Sequence, residues 1–97
     1  MKVGIARNEH PEVSEIVPSA HCIVRFRQRL PVGAPGGAAV AAALLQALED
    51  ADVSRWPPAW AISDAPAERW AVSGDLAFPL TRTPTPGRWL AITCLRR

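Results

Sequence analysis

His21, Arg25 and Arg29 stand four and four apart in the segment Ser19-Ala-His-Cys-Ile-Val-Arg-Phe-Arg-Gln-Arg-Leu30. On an α-helix, at about 100° per residue, four steps overshoot one turn by only about 40°. The three side chains therefore fall on one narrow stripe. Cys22, Phe26 and Leu30 lie to the side and back, with Ile23 between them, and are expected to form a buried face. An imidazole moves protons near neutral pH. A guanidinium holds a phosphate through two parallel hydrogen bonds. Together they are a minimal set for gripping or cutting a phosphodiester. His21 would draw the proton from a ribose 2′-hydroxyl, and Arg25 and Arg29 would steady the phosphate and offset charge growing on its oxygens. The competing assignment is structural: a helix-start histidine bonded to a carbonyl or carboxylate, with the arginines paired to Glu49, Asp50 or Asp52.

Further basic residues are candidates for extending such a site. Arg27 lies about a third of a turn from the stripe and either flanks it or is simply solvated. Arg82 and Arg88 flank a proline-rich loop, and Arg96 and Arg97 close the chain. They extend a basic groove if the last strand lies beside the first helix. Trp56 and Trp60 bracket Pro57-Pro58 and suit a surface platform for a partner protein or an unpaired base. Trp70 and Trp89 fall in strand-like segments and are expected in the core. His10 is expected in solvent. His10, His21, Cys22 and Cys94 have no recognised ligand spacing, so no metal is expected. There is no glycine-rich phosphate loop, no Gly-x-Ser-x-Gly elbow and no Cys-x-x-Cys pair. Nucleotide hydrolysis, serine-type acyl transfer and thioredoxin chemistry therefore lack support, and no cofactor is expected.

The 97 residues suffice for one domain with one core. The net charge of +2 is weakly basic and does not by itself demand a nucleic-acid partner. Lys2 is the sole lysine, so arginine abundance reflects coding bias as readily as function. The local cluster Arg25, Arg27, Arg29 carries more weight. No apolar run approaches the roughly 20 residues of a membrane span, and no signal peptide is visible, so a cytoplasmic location is expected. Two cysteines do not make a disulfide framework. The expectation is two reduced core thiols, with a structural bridge as the alternative.

The elements that must position these residues follow from capping and periodicity. Residues 1–18 read as an irregular arm with a short strand at Val3 to Ala6, pinned by Val13, Ile16 and Val17. A first helix starts at Ser19, a good N-cap, and stops at Leu30 before Pro31. A turn at Pro35-Gly36-Gly37 leads to a second helix from Gly37 to Ala51, with Val40, Leu44 and Leu48 at helical spacing. Trp60 to Ile62 has strand character. Arg69 to Val72 and Leu76 to Phe78 read as strands joined by a turn at Ser73-Gly74-Asp75, with Pro79 ending the second or placing it at an edge. Arg88 to Leu95 is apolar almost throughout and reads as a central strand. The expected fold is α+β: two N-terminal helices packed on one face of a small antiparallel sheet of three to four strands, spanning residues 19–97.

This arrangement resembles small prokaryotic and phage proteins related to the BrnT and RelE/ParE-type toxins. Their first helix reads His-Ala-x-x-Arg-x-x-x-Arg, and a second helix and a curled antiparallel sheet follow. His21, Arg25 and Arg29 match the first element, with Cys22 in place of the usual alanine, and Leu90-Ala-Ile-Thr-Cys-Leu95 is similar to the closing strand. Many members are ribonucleases, whereas the ParE branch acts on a DNA topoisomerase. The chain has no tyrosine, so a mechanism that needs one does not carry over. The resemblance implies an RNase-like toxin domain, phage-encoded or bacterial, with RNA as substrate, metal-independent cleavage, and a neutralising antitoxin as partner. The alternative is a non-enzymatic module that grips a host protein through the Trp56–Trp60 segment and a sheet edge.

Overall fold

The computed structural model describes residues 10–30 and 37–97. The strand expected at Val3 to Ala6 and most of the Pro35–Gly37 turn lie outside them.

Eight elements follow in order: β1 (Glu15–Pro18), α1 (Ala20–Gln28), α2 (Ala38–Asp50), β2 (Asp52–Ser54), β3 (Arg69–Ser73), β4 (Leu76–Arg82), β5 (Arg88–Ala91) and β6 (Leu95–Arg96). α1 begins where Ser19 Oγ accepts the Cys22 N–H, at 3.0 Å. This satisfies one of the donors that a helix start leaves unpaired. α2 is an alanine-rich helix whose buried stripe is Val40, Leu44 and Leu48. Together with Cys22 and Phe26 of α1, this stripe packs on Val53, Ala71, Phe78, Leu80, Trp89 and Ala91 of the sheet. Val13 and Ile16 belong to the same core, so the arm is pinned as the apolar pattern requires.

The sheet corrects the expected architecture. It has six strands and is mixed, in the order β1-β5-β4-β3-β2, with β6 also paired to β4. Glu15–Pro18, which ends on a proline and is expected as irregular arm, is an edge strand running parallel to β5. Its partners lie 73 residues away along the chain, so no local signal marks it. Trp60 to Ile62 is not a strand; it falls in the long connection between β2 and β3, which is broken by Pro57, Pro58 and Pro66. The β3–β4 hairpin forms as expected. Gly74 holds φ 58° at the first central position of its two-residue turn, the place that a type II′ turn reserves for glycine.

The long C-terminal apolar run is split, and Pro79 explains where. Leu80 opposes Ala91, whereas Ala77 opposes Leu95. Three steps along β4 thus face four along the C-terminal segment, which is the signature of a β-bulge. Pro79 does not end β4. It sits within it, opposite Trp70, and its carbonyl accepts the Ile92 N–H at 2.9 Å. Its missing N–H faces the bulged side, where regular pairing is already suspended.

Candidate functional site

The bulge carries Ile92, Thr93 and Cys94 to the N-terminal half of α1. Ser19 joins the two: its N–H donates to the Ala91 carbonyl at 3.0 Å, and its hydroxyl donates to the Ile92 carbonyl at 2.8 Å. Between helix and bulge lies a cleft of about 260 Å³ whose walls include His21, Arg25, Arg29, Thr93 and Cys94. Ser63 and Ala65, from the β2–β3 connection, close the third side. All three members of the predicted stripe therefore reach one concave surface.

α1 divides into three stripes. His21, Arg25 and Arg29 line the cleft. Cys22 and Phe26 are buried in the core. Ile23 and Arg27 line a separate trough against α2. Ile23, expected in the buried face, is thus half-exposed, and Arg27 does not extend the cleft.

Among the described residues, no carboxylate neutralises the cleft cations. Among the described residues, Arg25 donates to Gln28 Oε1 at 3.3 Å, and neither it nor Arg29 has an acidic partner within ion-pair range. Arg29 Nε is enclosed and has no hydrogen-bond partner. A buried guanidinium N–H in that state is costly unless something fills the gap. The arginines of the sheet behave differently. Arg69 pairs with Glu12 at 3.2 Å, Arg82 with Glu68 at 3.0 Å and Arg88 with Glu15 at 2.7 Å. Arg69 and Arg82 also approach the buried Trp89 ring, at 5.8 and 5.4 Å from its centre. Arg82 and Arg88, proposed from sequence as groove residues, line a different hollow beside the Thr83–Gly87 loop.

Arg96 does lie beside α1. Its Nη1 donates to the Arg29 carbonyl at 2.6 Å, serving one of the acceptors left free at the helix end. Arg29 and Arg96 line a neighbouring hollow of about 250 Å³, which also contains Asp75. Arg97 is exposed, and its N–H donates to the Asp75 carbonyl. Trp56 is 76% exposed, whereas Trp60 is half-buried; Trp70 and Trp89 are buried as expected. His10 is partly buried against Glu12 rather than free in solvent.

Cys22 and Cys94 are both free and buried. Burial pushes the Cys22 thiol up to about 12, with Cys94 nearby adding to the effect. Burial raises Cys94 to about 11, and the Arg29 charge pulls against it. Neither is a nucleophile near neutral pH. Among the described residues no group of three or more His, Cys, Asp or Glu side chains could hold a metal ion, and no helix is long and apolar enough to cross a membrane.

Sequence reasoning missed Ser63, Thr93 and Cys94 as cleft walls. The one signal for the bulge was Pro79 inside an otherwise regular strand pattern. No protein-family model, curated protein or solved structure matches the chain.

Proposed function

We propose that this chain is a small RNase-like domain of the toxin class, whose α1–bulge cleft receives an RNA phosphodiester. What supports the reading most is a contrast: Arg69, Arg82 and Arg88 of β3, β4 and β5 are each paired with a glutamate, while Arg25 and Arg29 face a shared cleft without one among the described residues. Two guanidiniums left unpaired at a concave wall suit a bound oxyanion.

In this reading Arg25 and Arg29 hold the non-bridging phosphate oxygens and His21 accepts the ribose 2′-hydroxyl proton. The 2′-oxygen then bonds to phosphorus and the bond to the 5′-oxygen breaks, with water supplying the proton to the leaving oxygen. The products are a 2′,3′-cyclic phosphate and a 5′-hydroxyl end. No metal takes part. A neutralising partner protein, an antitoxin, belongs to the same proposal, as does residence in the cytoplasm.

The test is RNA binding and cleavage by the purified protein and by His21→Ala and Arg25→Ala. The expected outcome is salt-sensitive binding of short RNA and cyclic-phosphate ends by mass spectrometry, with His21→Ala losing cleavage before binding. Unchanged cleavage in both variants would falsify the assignment.

A second reading is a non-enzymatic protein-binding module, favoured by Trp56 at 76% and Ile62 at 89% exposure on the β2–β3 connection. Large apolar side chains so exposed suit a partner interface. Salt-insensitive RNA affinity together with no cleavage would move the assignment to it.

A further inference from the structure

The other outward stripe of α1 faces a long trough, apolar at one end and mixed in character at the other. One end, of about 260 Å³, is lined by Pro18, Ile23, Arg27 and Ala41. The other, of about 410 Å³, is lined by Ser14, Glu15 and Glu49. Leu45 lines both and is 54% exposed, so the two halves meet at its side chain. Ala41, Leu45 and Glu49 follow one another at four-residue spacing and mark one stripe of α2. Ala41 and Leu45 keep this stripe apolar as far as Glu49, where a solvated helix carries polar residues throughout.

Charge is distributed unevenly along the trough. Arg27 stands at one end and Glu49 at the other, and among the described residues neither has an acidic or basic partner. Ala41 and Glu49 lie about 6 Å on either side of Leu45 along the helix axis. A surface with a cation at one end, an anion at the other and an exposed leucine between them is complementary to itself turned by 180°.

We infer that the trough is the contact between two copies of this chain, related by a two-fold axis passing near Leu45. The two α2 helices run antiparallel, with alanines allowing close approach. Leu45 packs against its symmetry mate, and Arg27 of each copy meets Glu49 of the other. This contact uses the stripe of α1 that the His21 cleft does not use. It leaves both clefts open and stands whether or not RNA is the ligand.

The experiment is analytical ultracentrifugation of the full chain across a concentration series, with circular dichroism to establish that each variant is folded. A concentration-dependent dimer is expected. Arg27→Glu and Glu49→Arg should each raise the dimer dissociation constant about fivefold or more, since each change breaks two symmetry-related pairs and adds like-charge contacts. The double variant R27E/E49R should return towards the parent value, because the reversed charges pair again. Leu45→Glu should give a folded monomer. A parent chain that stays monomeric at about 0.5 mM, or a double variant no better than the two single ones, overturns the inference.

Discussion

The Ser19 hydroxyl bonds in two directions, accepting the Cys22 N–H at 3.0 Å and donating to the Ile92 carbonyl at 2.8 Å. One side chain thereby caps α1 and fastens the helix start to the β-bulge. That link sets the width of the cleft at its His21 and Thr93 end, while the Arg96 side chain ties the Arg29 carbonyl to the C-terminal segment at the other end.

Ser19→Ala should therefore act on stability and on the site together. Loss of an N-cap costs about 1 kcal/mol, a fall of about 4–8 °C in Tm for a domain of this size. RNA affinity should fall further than an equally destabilising core change such as Val40→Ala makes it fall. Thermal melts paired with binding isotherms at a temperature where both variants are folded would separate the two effects.

The paired and unpaired arginines should respond differently to salt. Replacing Arg25 or Arg29 by alanine should reduce the slope of log affinity against log salt by about 0.7 for single-stranded RNA, one released counterion per lost phosphate contact. Arg82→Ala and Arg88→Ala should leave the slope unchanged, because these side chains already serve Glu68 and Glu15. Fluorescence anisotropy at four or five salt concentrations reads the difference. Equal slopes in all four variants would remove the special standing of the cleft.

The buried thiols fix an alkaline limit to stability. Cys22 and Cys94 rise from an ordinary 9.0 to about 12 and about 11 in the folded chain. Between these values the folded state holds protons that the unfolded state has released, so the unfolding free energy decreases with rising pH. The thiol contribution is complete below pH 9 and is lost progressively above it. Denaturant titrations at pH 8 and pH 10 should show the drop, and the double variant C22A/C94A should show a smaller one. Both thiols should also resist alkylation at pH 8 until the chain is unfolded.

Two glycines at positive φ separate turn strain from steric collision. Gly74, at φ 58°, has open space where a Cβ would stand, so Gly74→Ala should cost only the backbone penalty, about 1 kcal/mol. At Gly87, φ 83°, a new Cβ would displace the Ser14 hydroxyl and so cost its bond to the Gly87 carbonyl. That carbonyl also accepts the N–H groups of Ser14 and Glu15. Gly87→Ala should lower Tm by clearly more than Gly74→Ala and should increase hydrogen exchange in β1. Equal losses would mean that β1 is held mainly by Val13 and Ile16.

Glu12 sets the acid side. Its own backbone N–H holds the carboxyl below the ordinary carboxylate value against the opposing effect of burial, with Arg69 and His10 adding to the lowering. A depressed carboxyl contributes stability above its unfolded pKa and loses it as pH falls through the folded value. Glu12→Gln should flatten the stability profile below about pH 4.5, measured by urea midpoints between pH 3 and 6.

α1, α2 and the Gly74 hairpin could be read along the chain because each is specified by residues a few positions apart. Ser19 caps three residues ahead, Val40, Leu44 and Leu48 recur every four, and Gly74 supplies the one positive φ its turn requires. The stripe of His21, Arg25 and Arg29 was legible for the same reason: helical periodicity alone aligns it. Periodicity could not say what lies opposite. Whether those arginines were already paired with Glu49, Asp50 or Asp52 was a matter of tertiary placement, and among the described residues the ion pairs formed instead between Glu12, Glu68 and Glu15 and the sheet residues Arg69, Arg82 and Arg88. The parallel β1–β5 pairing and the bulge at Pro79 were likewise decided only by tertiary packing. The β1–β5 pairing joins residues 73 positions apart, and bringing such residues together is an outcome of burying one common core, which local propensity does not encode.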